Sequence, residues 1–185
     1  IIDAFSELKK DWPELKLIIV PRHPERADSI LKILNRKKIN SRITSKVSYL
    51  KDADVVVINT TGQLNSLYKI ANITFIGGSL ISKYGGHNII EAAANKCAFI
   101  VGPYMKNFED ILNLFKAKNA CIQLLNSNDL SQSFRELLNN NELRINMIDN
   151  ATEVVSENRG SSEKQFNNII KLVNYEISNS NNKTI

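Results

Sequence analysis

The chain has 185 residues, 43% hydrophobic and 23% charged, enough for one globular domain with a proper core or one large half of a longer protein. Its formal net charge of +5 is spread out rather than gathered into a basic block, which fits ordinary solubility, attraction to phosphates or an anionic membrane surface. Aromatics are few and no nucleic-acid motif is recognisable, so nucleic-acid binding lacks support. No apolar run approaches the roughly 20 residues that span a bilayer.

The sequence opens at Ile1-Ile2-Asp3-Ala4-Phe5-Ser6-Glu7-Leu8 without a methionine. These residues read like the middle of a helix, so a fragment with a missing upstream part is expected. A helix is predicted over residues 2–11, ending before Pro13, and a short strand over 15–20, stopped by Pro21. Pro21-Arg22-His23-Pro24-Glu25-Arg26 is a charged loop bracketed by prolines. Ile30, Leu31, Ile33 and Leu34 mark a helical face over 27–38. Val55-Val56-Val57-Ile58 is a β-branched run that suits a buried parallel strand. A turn at Asn59-Thr60-Thr61-Gly62, a helix over 63–71 and a strand over 73–76 follow.

Four of the seven glycines then fall between Phe75 and Glu91. A strand, a glycine-rich turn and a helix over 88–96 form a ready anion site, with free amides and the positive helix end favouring a phosphate. The glycines Gly85 and Gly86 let the backbone turn sharply and approach a ligand. A structural turn without a ligand remains the equal alternative at this point. Beyond it come a strand over 98–101 closed by Gly102-Pro103, a helix over 107–118 and a short strand over 120–124. Helices are predicted over 130–138, 143–155 and 162–177, and residues 178–185 are a polar tail expected to fray.

Strand and helix alternate along this whole order. The expected fold is α/β: a Rossmann-like, doubly wound parallel sheet with helices on both faces and a helical C-terminal tail, in one domain over 1–177. Ligands of such sheets sit beyond the carboxyl ends of the strands. The loops at Arg22, at Thr60 to Gly62, at the central glycines and at Gly102-Pro103 therefore carry the candidates for chemistry. His23 and His87 are the only histidines, and no carboxylate or cysteine cluster gives them metal-ligand spacing, so no metal is expected. Cys97 and Cys121 read as buried free thiols of a reducing compartment.

Pro21-Arg22-His23-Pro24-Glu25-Arg26, Gly77-Gly78-Ser79-Leu80, Gly85-Gly86-His87-Asn88-Ile89-Ile90-Glu91, Gly102-Pro103 and Asn107-Phe108 occur in an order and spacing that resemble the C-terminal half of the 3-deoxy-D-manno-octulosonic acid (Kdo) transferases. The resemblance covers about residues 2 to 175 and implies the C-terminal half of a GT-B fold. It implies binding of the donor CMP-Kdo, with no cofactor. The acceptor site for a lipid A precursor, the membrane attachment and the catalytic carboxylate would then lie in the missing half. The whole enzyme would act in lipopolysaccharide synthesis at the cytoplasmic face of the bacterial inner membrane, while the fragment would be soluble and inactive alone. A nucleotide-sugar epimerase-type domain and a non-catalytic nucleotide-binding module are the alternatives. Asn59-Thr60-Thr61-Gly62-Gln63-Leu64 departs from the family's Asp-Thr-x-Gly-Glu-Leu, with two amides for two carboxylates.

Within that resemblance the donor-binding residues are Arg22, His23, Thr61, Gly62, Gln63, Ser79, Gly85, Gly86, His87, Asn88 and Glu91. Arg22 is a fork of donors for a phosphate or the Kdo carboxylate; the alternative is an ion pair with Glu25. His87 at the helix entry is placed to donate to phosphate or sugar, or to pack the loop; His23 reads as loop-fixing. Asn88 is read first as a cap, Glu91 as an acceptor from ribose hydroxyls or a solvated helix residue. Ser79 either reaches the phosphate or closes its turn, and Asn107 either touches the donor or caps a helix. Lys83 and Tyr84 lie in a loop placed to cover the donor.

Overall fold

A run of four β-branched residues has no polar side to turn to water, so Val55–Ile58 must lie at the centre of a sheet. In the computed structural model, which describes residues 1–45 and 51–158, this strand (β3) is buried throughout and pairs in parallel with β1 (Leu17–Ile19) on one side and β2 (Ser41–Thr44) on the other. The second buried strand, β5 (Ala98–Val101), lies in the same way between β4 (Ile73–Ile76) and β6 (Ile122–Gln123), again all parallel. The expected parallel sheet is thus realised as two three-stranded ladders, β1-β3-β2 and β4-β5-β6. β2 was not expected: Ser41-Arg42-Ile43-Thr44 has one large apolar side chain, because an edge strand needs to bury only part of itself.

The alternation of side chains sends both strands' residues to two cores each. Val55 and Val57 pack with Phe5, Ala27 and Leu34, whereas Val56 and Ile58 pack with Ala53 and Leu67. Ala98 and Ile100 face Leu124, Leu130, Leu137 and Met147. Phe99 and Val101 face Ile89, Ala92, Phe115 and Val154. The helices that supply these partners are α1 (Ile2–Leu8), α2 (Ala27–Arg36), α3 (Leu64–Tyr68), α4 (Ile90–Ala94), α5 (Glu109–Ala117), α6 (Leu130–Asn139) and α7 (Asn141–Asn158). The expected helix over 162–177 and the tail lie outside the described residues. Among the described residues no helix is long and apolar enough to cross a membrane.

α1 spans both ladders. Ala4 belongs to the β5 core and its neighbour Phe5 to the β3 core. Past its end, Lys9 Nζ donates to Leu15 O at 3.1 Å and to Asp54 Oδ1 at 2.8 Å, tying the helix to the start of β3. The Lys9 hydrogen bond holds the Asp54 carboxyl below its ordinary range. A lowered folded value means stabilisation that is complete above the unfolded value of about 3.9 and lost as the pH falls through and below it. Asp54→Asn is therefore expected to cost about 0.5–1 kcal/mol at pH 7, in keeping with a pair open to solvent, and almost nothing at pH 2. Thermal melts at the two pH values check this.

Three helices stop in one way. Lys38, Lys96 and Asn119 have φ of 56°, 56° and 52°. In each case the next residue donates back across the turn: Ile39 to Leu34 O at 3.1 Å, Cys97 to Ala92 O at 3.1 Å, Ala120 to Phe115 O at 2.8 Å. This is the Schellman closure with a side chain where glycine is favoured. Since a Cβ in the left-handed region costs about 1 kcal/mol, Lys96→Gly is expected to raise stability by about 0.5–1 kcal/mol, readable in a urea titration.

Both thiols are free, as expected, but only Cys97 is buried. Cys121 is half-buried, and burial pushes each up to about 12.

Candidate functional site

β4 ends at Ile76, and the chain must then turn across the end of β5. Gly78 takes φ of +74° to do so. Ser79 is fully buried; its hydroxyl donates to Ile76 O at 2.6 Å and accepts from the Gly102 amide at 2.8 Å. Its carbonyl accepts from the Tyr104 amide at 3.0 Å. Ser79 is thus a clasp between the ends of β4 and β5, the turn-closing role of the two expected for it, and its hydroxyl is not aimed at a ligand. Gly102 is required by the same clasp, because a Cβ there would press on the Ser79 carbonyl and the Leu80 amide.

Gly85 and Gly86 sit at φ of +64° and +82°. The Gly86 amide donates to Gly78 O at 3.1 Å, closing residues 78–86 into a loop. Gly85 O accepts from the Asn107 amide at 3.0 Å, and Asn107 Nδ2 donates to Tyr84 O at 3.0 Å. A Cβ on Gly85 would lie 2.8 Å from the Asn107 side chain, and one on Gly86 would strike the Met105 sulfur. Both glycines are buried, so their smallness serves contact between loops as well as the turn itself. The His87 ring lies over Gly78, with Nε2 3.1 Å from where a Cβ would be. Asn107 is the loop's anchor and Met105 its floor; no feature of the sequence marks Met105 for this.

The helix after the loop differs from expectation. It begins at Ile90 rather than Asn88 and has five residues, so its dipole adds little. Asn88 Oδ1 accepts from the Ile90 amide at 2.9 Å, but from one residue before the N-cap, which is Ile89, so it braces the turn into the helix rather than capping it as expected. The amides of His87, Asn88 and Ile89 have no acceptor among the described residues, so the donors that remain belong to the loop. Asn88 Nδ2 also donates to Glu91 Oε1 at 3.3 Å, turning the half-buried carboxylate toward that loop. Tyr68, which the sequence did not single out, is buried beside it. Its phenol is pushed up to about 12, first by burial and then by the Glu91 charge.

The other candidates lie on the first ladder. Gln63 Nε2 donates to Ser45 O and to Thr60 Oγ1, each at 2.6 Å. Thr61 and Gly62 are exposed, Gly62 at φ of +82° with nothing within 4 Å of a Cβ position. Arg22 and His23 are exposed after β1. The Arg22–Glu25 pair is not formed; His23 Nδ1 faces Glu25 Oε1 at 3.5 Å instead. Among the described residues no hydrogen bond joins Arg22, His23 or Gln63 to the glycine loop, while His87, Asn88 and Glu91 are held on it. The two ladders do meet nearby, where Asn95 Nδ2 on the α4 end donates to Asn65 Oδ1 of α3 at 3.2 Å. No group of three or more metal-binding side chains occurs among the described residues.

The family model described as glycosyl transferases group 1 matches residues 1–154. The chain is 37% identical over 165 residues to the 3-deoxy-D-manno-octulosonic acid transferase of Rickettsia typhi, covering 86% of this chain and 35% of that protein. It is 32% identical over 167 residues to the enzyme of the same name from Haemophilus influenzae, covering 89% and 39%. The chain thus spans well under half the length of these relatives. Among solved structures it is similar to the C-terminal CMP-Kdo binding domain of WaaA from Acinetobacter baumannii, with 27% identity and a TM-score of 0.77 over 84% of this chain and 81% of that one. The C-terminal domain of a Francisella tularensis group 1 glycosyl transferase, 19% identical at a TM-score of 0.56 over 84% and 75%, shares the fold. The resemblance read from the motifs, and the α/β fold of a GT-B C-terminal half, are met: the chain belongs to the glycosyl transferases group 1 family.

Proposed function

We propose that this chain is the donor-binding half of a Kdo transferase and holds CMP-Kdo against the loop of residues 85–89. The observation that carries the reading is the set of unpaired amides at His87, Asn88 and Ile89, beside a carboxylate turned toward them, in a fold that matches a domain described as CMP-Kdo binding. Transfer of Kdo breaks the bond between the anomeric carbon and a phosphate oxygen. Negative charge grows on the departing CMP as the sugar becomes cation-like. Fixed amides aimed at that phosphate stabilise the transition state more than the ground state. Glu91 accepts from the ribose hydroxyls, His87 stands at the sugar or phosphate, and Arg22 closes on the phosphate or the Kdo carboxylate from the first ladder. Ser79 is left out of the contact set because it is clasped inside. In the longer protein the acceptor is a lipid A precursor, the catalytic carboxylate and the membrane attachment come from the other half, and the reaction takes place at the inner membrane's cytoplasmic face.

Calorimetric titration of CMP into the chain tests this. One CMP per chain is expected, weakened about three- to tenfold by Arg22→Ala, the effect of losing a charged contact open to solvent. Absence of heat with CMP, or unaltered binding in that variant, contradicts the assigned site.

A further inference from the structure

Gln63 presents a fixed polar pattern at the end of β3. Its Nε2 gives one hydrogen to Ser45 O and the other to Thr60 Oγ1, each at 2.6 Å. A backbone carbonyl can only accept, so the amide cannot be turned end for end without setting oxygen against oxygen. The orientation leaves Oε1 without a protein donor. Among the described residues the one buried side-chain polar atom lacking a partner is Ser41 Oγ, so Gln63 Oε1 is open to solvent. The Thr60 hydroxyl accepts from Gln63, and its own hydrogen has no acceptor among the described residues. The two side chains therefore offer an acceptor and a donor next to one another, on a turn whose tip, Thr61-Gly62, is exposed.

We propose that Gln63 Oε1 and Thr60 Oγ1 read the nucleotide base as cytosine. Cytosine carries an amino donor at N4 beside an acceptor at N3, the complement of this pair. Uracil carries an acceptor at O4 beside an N3–H donor; the Thr60 hydroxyl can turn to accept from N3–H, but O4 then faces Gln63 Oε1, oxygen against oxygen. A site that offers such a pair rejects the wrong edge because its own polar groups are left unpaired. The assignment rests on the CMP reading of the glycine loop and adds to it the source of base choice.

Parallel titrations of CMP and UMP into the 185-residue chain and into Gln63→Leu and Thr60→Val test this. The wild type is expected to prefer CMP by roughly tenfold or more. Gln63→Leu brings the two nucleotides to within about threefold by losing CMP affinity. Arg22→Ala weakens both equally and keeps the ratio. Thr60→Val, the smallest change, removes the brace on the Gln63 amide and narrows the preference as well, and it carries the test should Gln63→Leu fold poorly, as judged by circular dichroism melts. Equal wild-type affinities for CMP and UMP, or a ratio preserved in the folded variants, overturn the base reading while leaving the phosphate site standing. No binding of either nucleotide removes the phosphate site, and the base reading with it.

Discussion

Alanine at position 102 is expected to lower the thermal midpoint of the chain by roughly 6–12 °C, equivalent to about 3 kcal/mol. The reason is geometric. The added methyl falls on the Ser79 carbonyl and the Leu80 amide, and backbone cannot swing aside as the end of a side chain can. Relief requires the two strand ends to separate. That opens the bond from the Gly102 amide to Ser79 Oγ and, beyond it, the bond from the Tyr104 amide to Ser79 O. Because the same clasp sets where residues 80–88 begin, CMP affinity falls with stability. Ser79→Ala removes the hydroxyl but adds no bulk, so it strands the Gly102 amide and costs less, about 1–2 kcal/mol. Guanidinium titrations of the two variants, read by circular dichroism, rank them. A Gly102→Ala protein as stable as the wild type contradicts the clasp.

Glu91→Ala is expected to lose about ten- to fiftyfold in CMP affinity while the melting temperature moves little. The carboxylate is half-buried, and among the described residues its one hydrogen bond is from Asn88 at 3.3 Å, so little stability depends on it. A ribose diol that donates to it gains a charged acceptor, and such bonds are worth about twice a neutral one. The same substitution has a second readout. Tyr68 is pushed up to about 12 chiefly by burial, with the Glu91 charge as the next cause. A raised value means stabilisation that is full below the unfolded value near 10 and lost as the pH rises from 10 toward 12. Without Glu91 the ultraviolet titration of this tyrosine shifts to lower pH. Unaltered CMP affinity in Glu91→Ala, together with a shifted Tyr68 titration, leaves Glu91 as a neighbour of the tyrosine and not a ligand.

The pattern of the chain was most legible where burial dictates residue type. Val55–Ile58 and Ala98–Val101 are strands at the predicted bounds because a strand covered on both faces tolerates no polar residue. Among the described residues the helices fell at the predicted places with ends shifted by a few residues, as fraying and 3-10 turns allow. β2 was hidden because Ile43 is its one large apolar side chain and Arg42 beside it is exposed. At the site, the glycines at 78, 85 and 86 were legible as turns, and their positive φ angles agree. What they touch was not. That Gly85 is shaped by Asn107, Gly86 by Met105 and Gly102 by Ser79 depends on contacts between loops far apart in sequence, which no local pattern encodes. Asn88 lies one residue before the N-cap, Ile89, and the helix dipole was overrated because the helix is one short stretch of Ile90–Ala94.

The most direct test is a crystal structure of the chain grown with saturating CMP. Phosphate oxygens at about 3 Å from the amides of His87, Asn88 and Ile89, with the ribose hydroxyls on Glu91, is the result expected. CMP density away from residues 85–91, or those three amides paired with the protein's own acceptors, contradicts it.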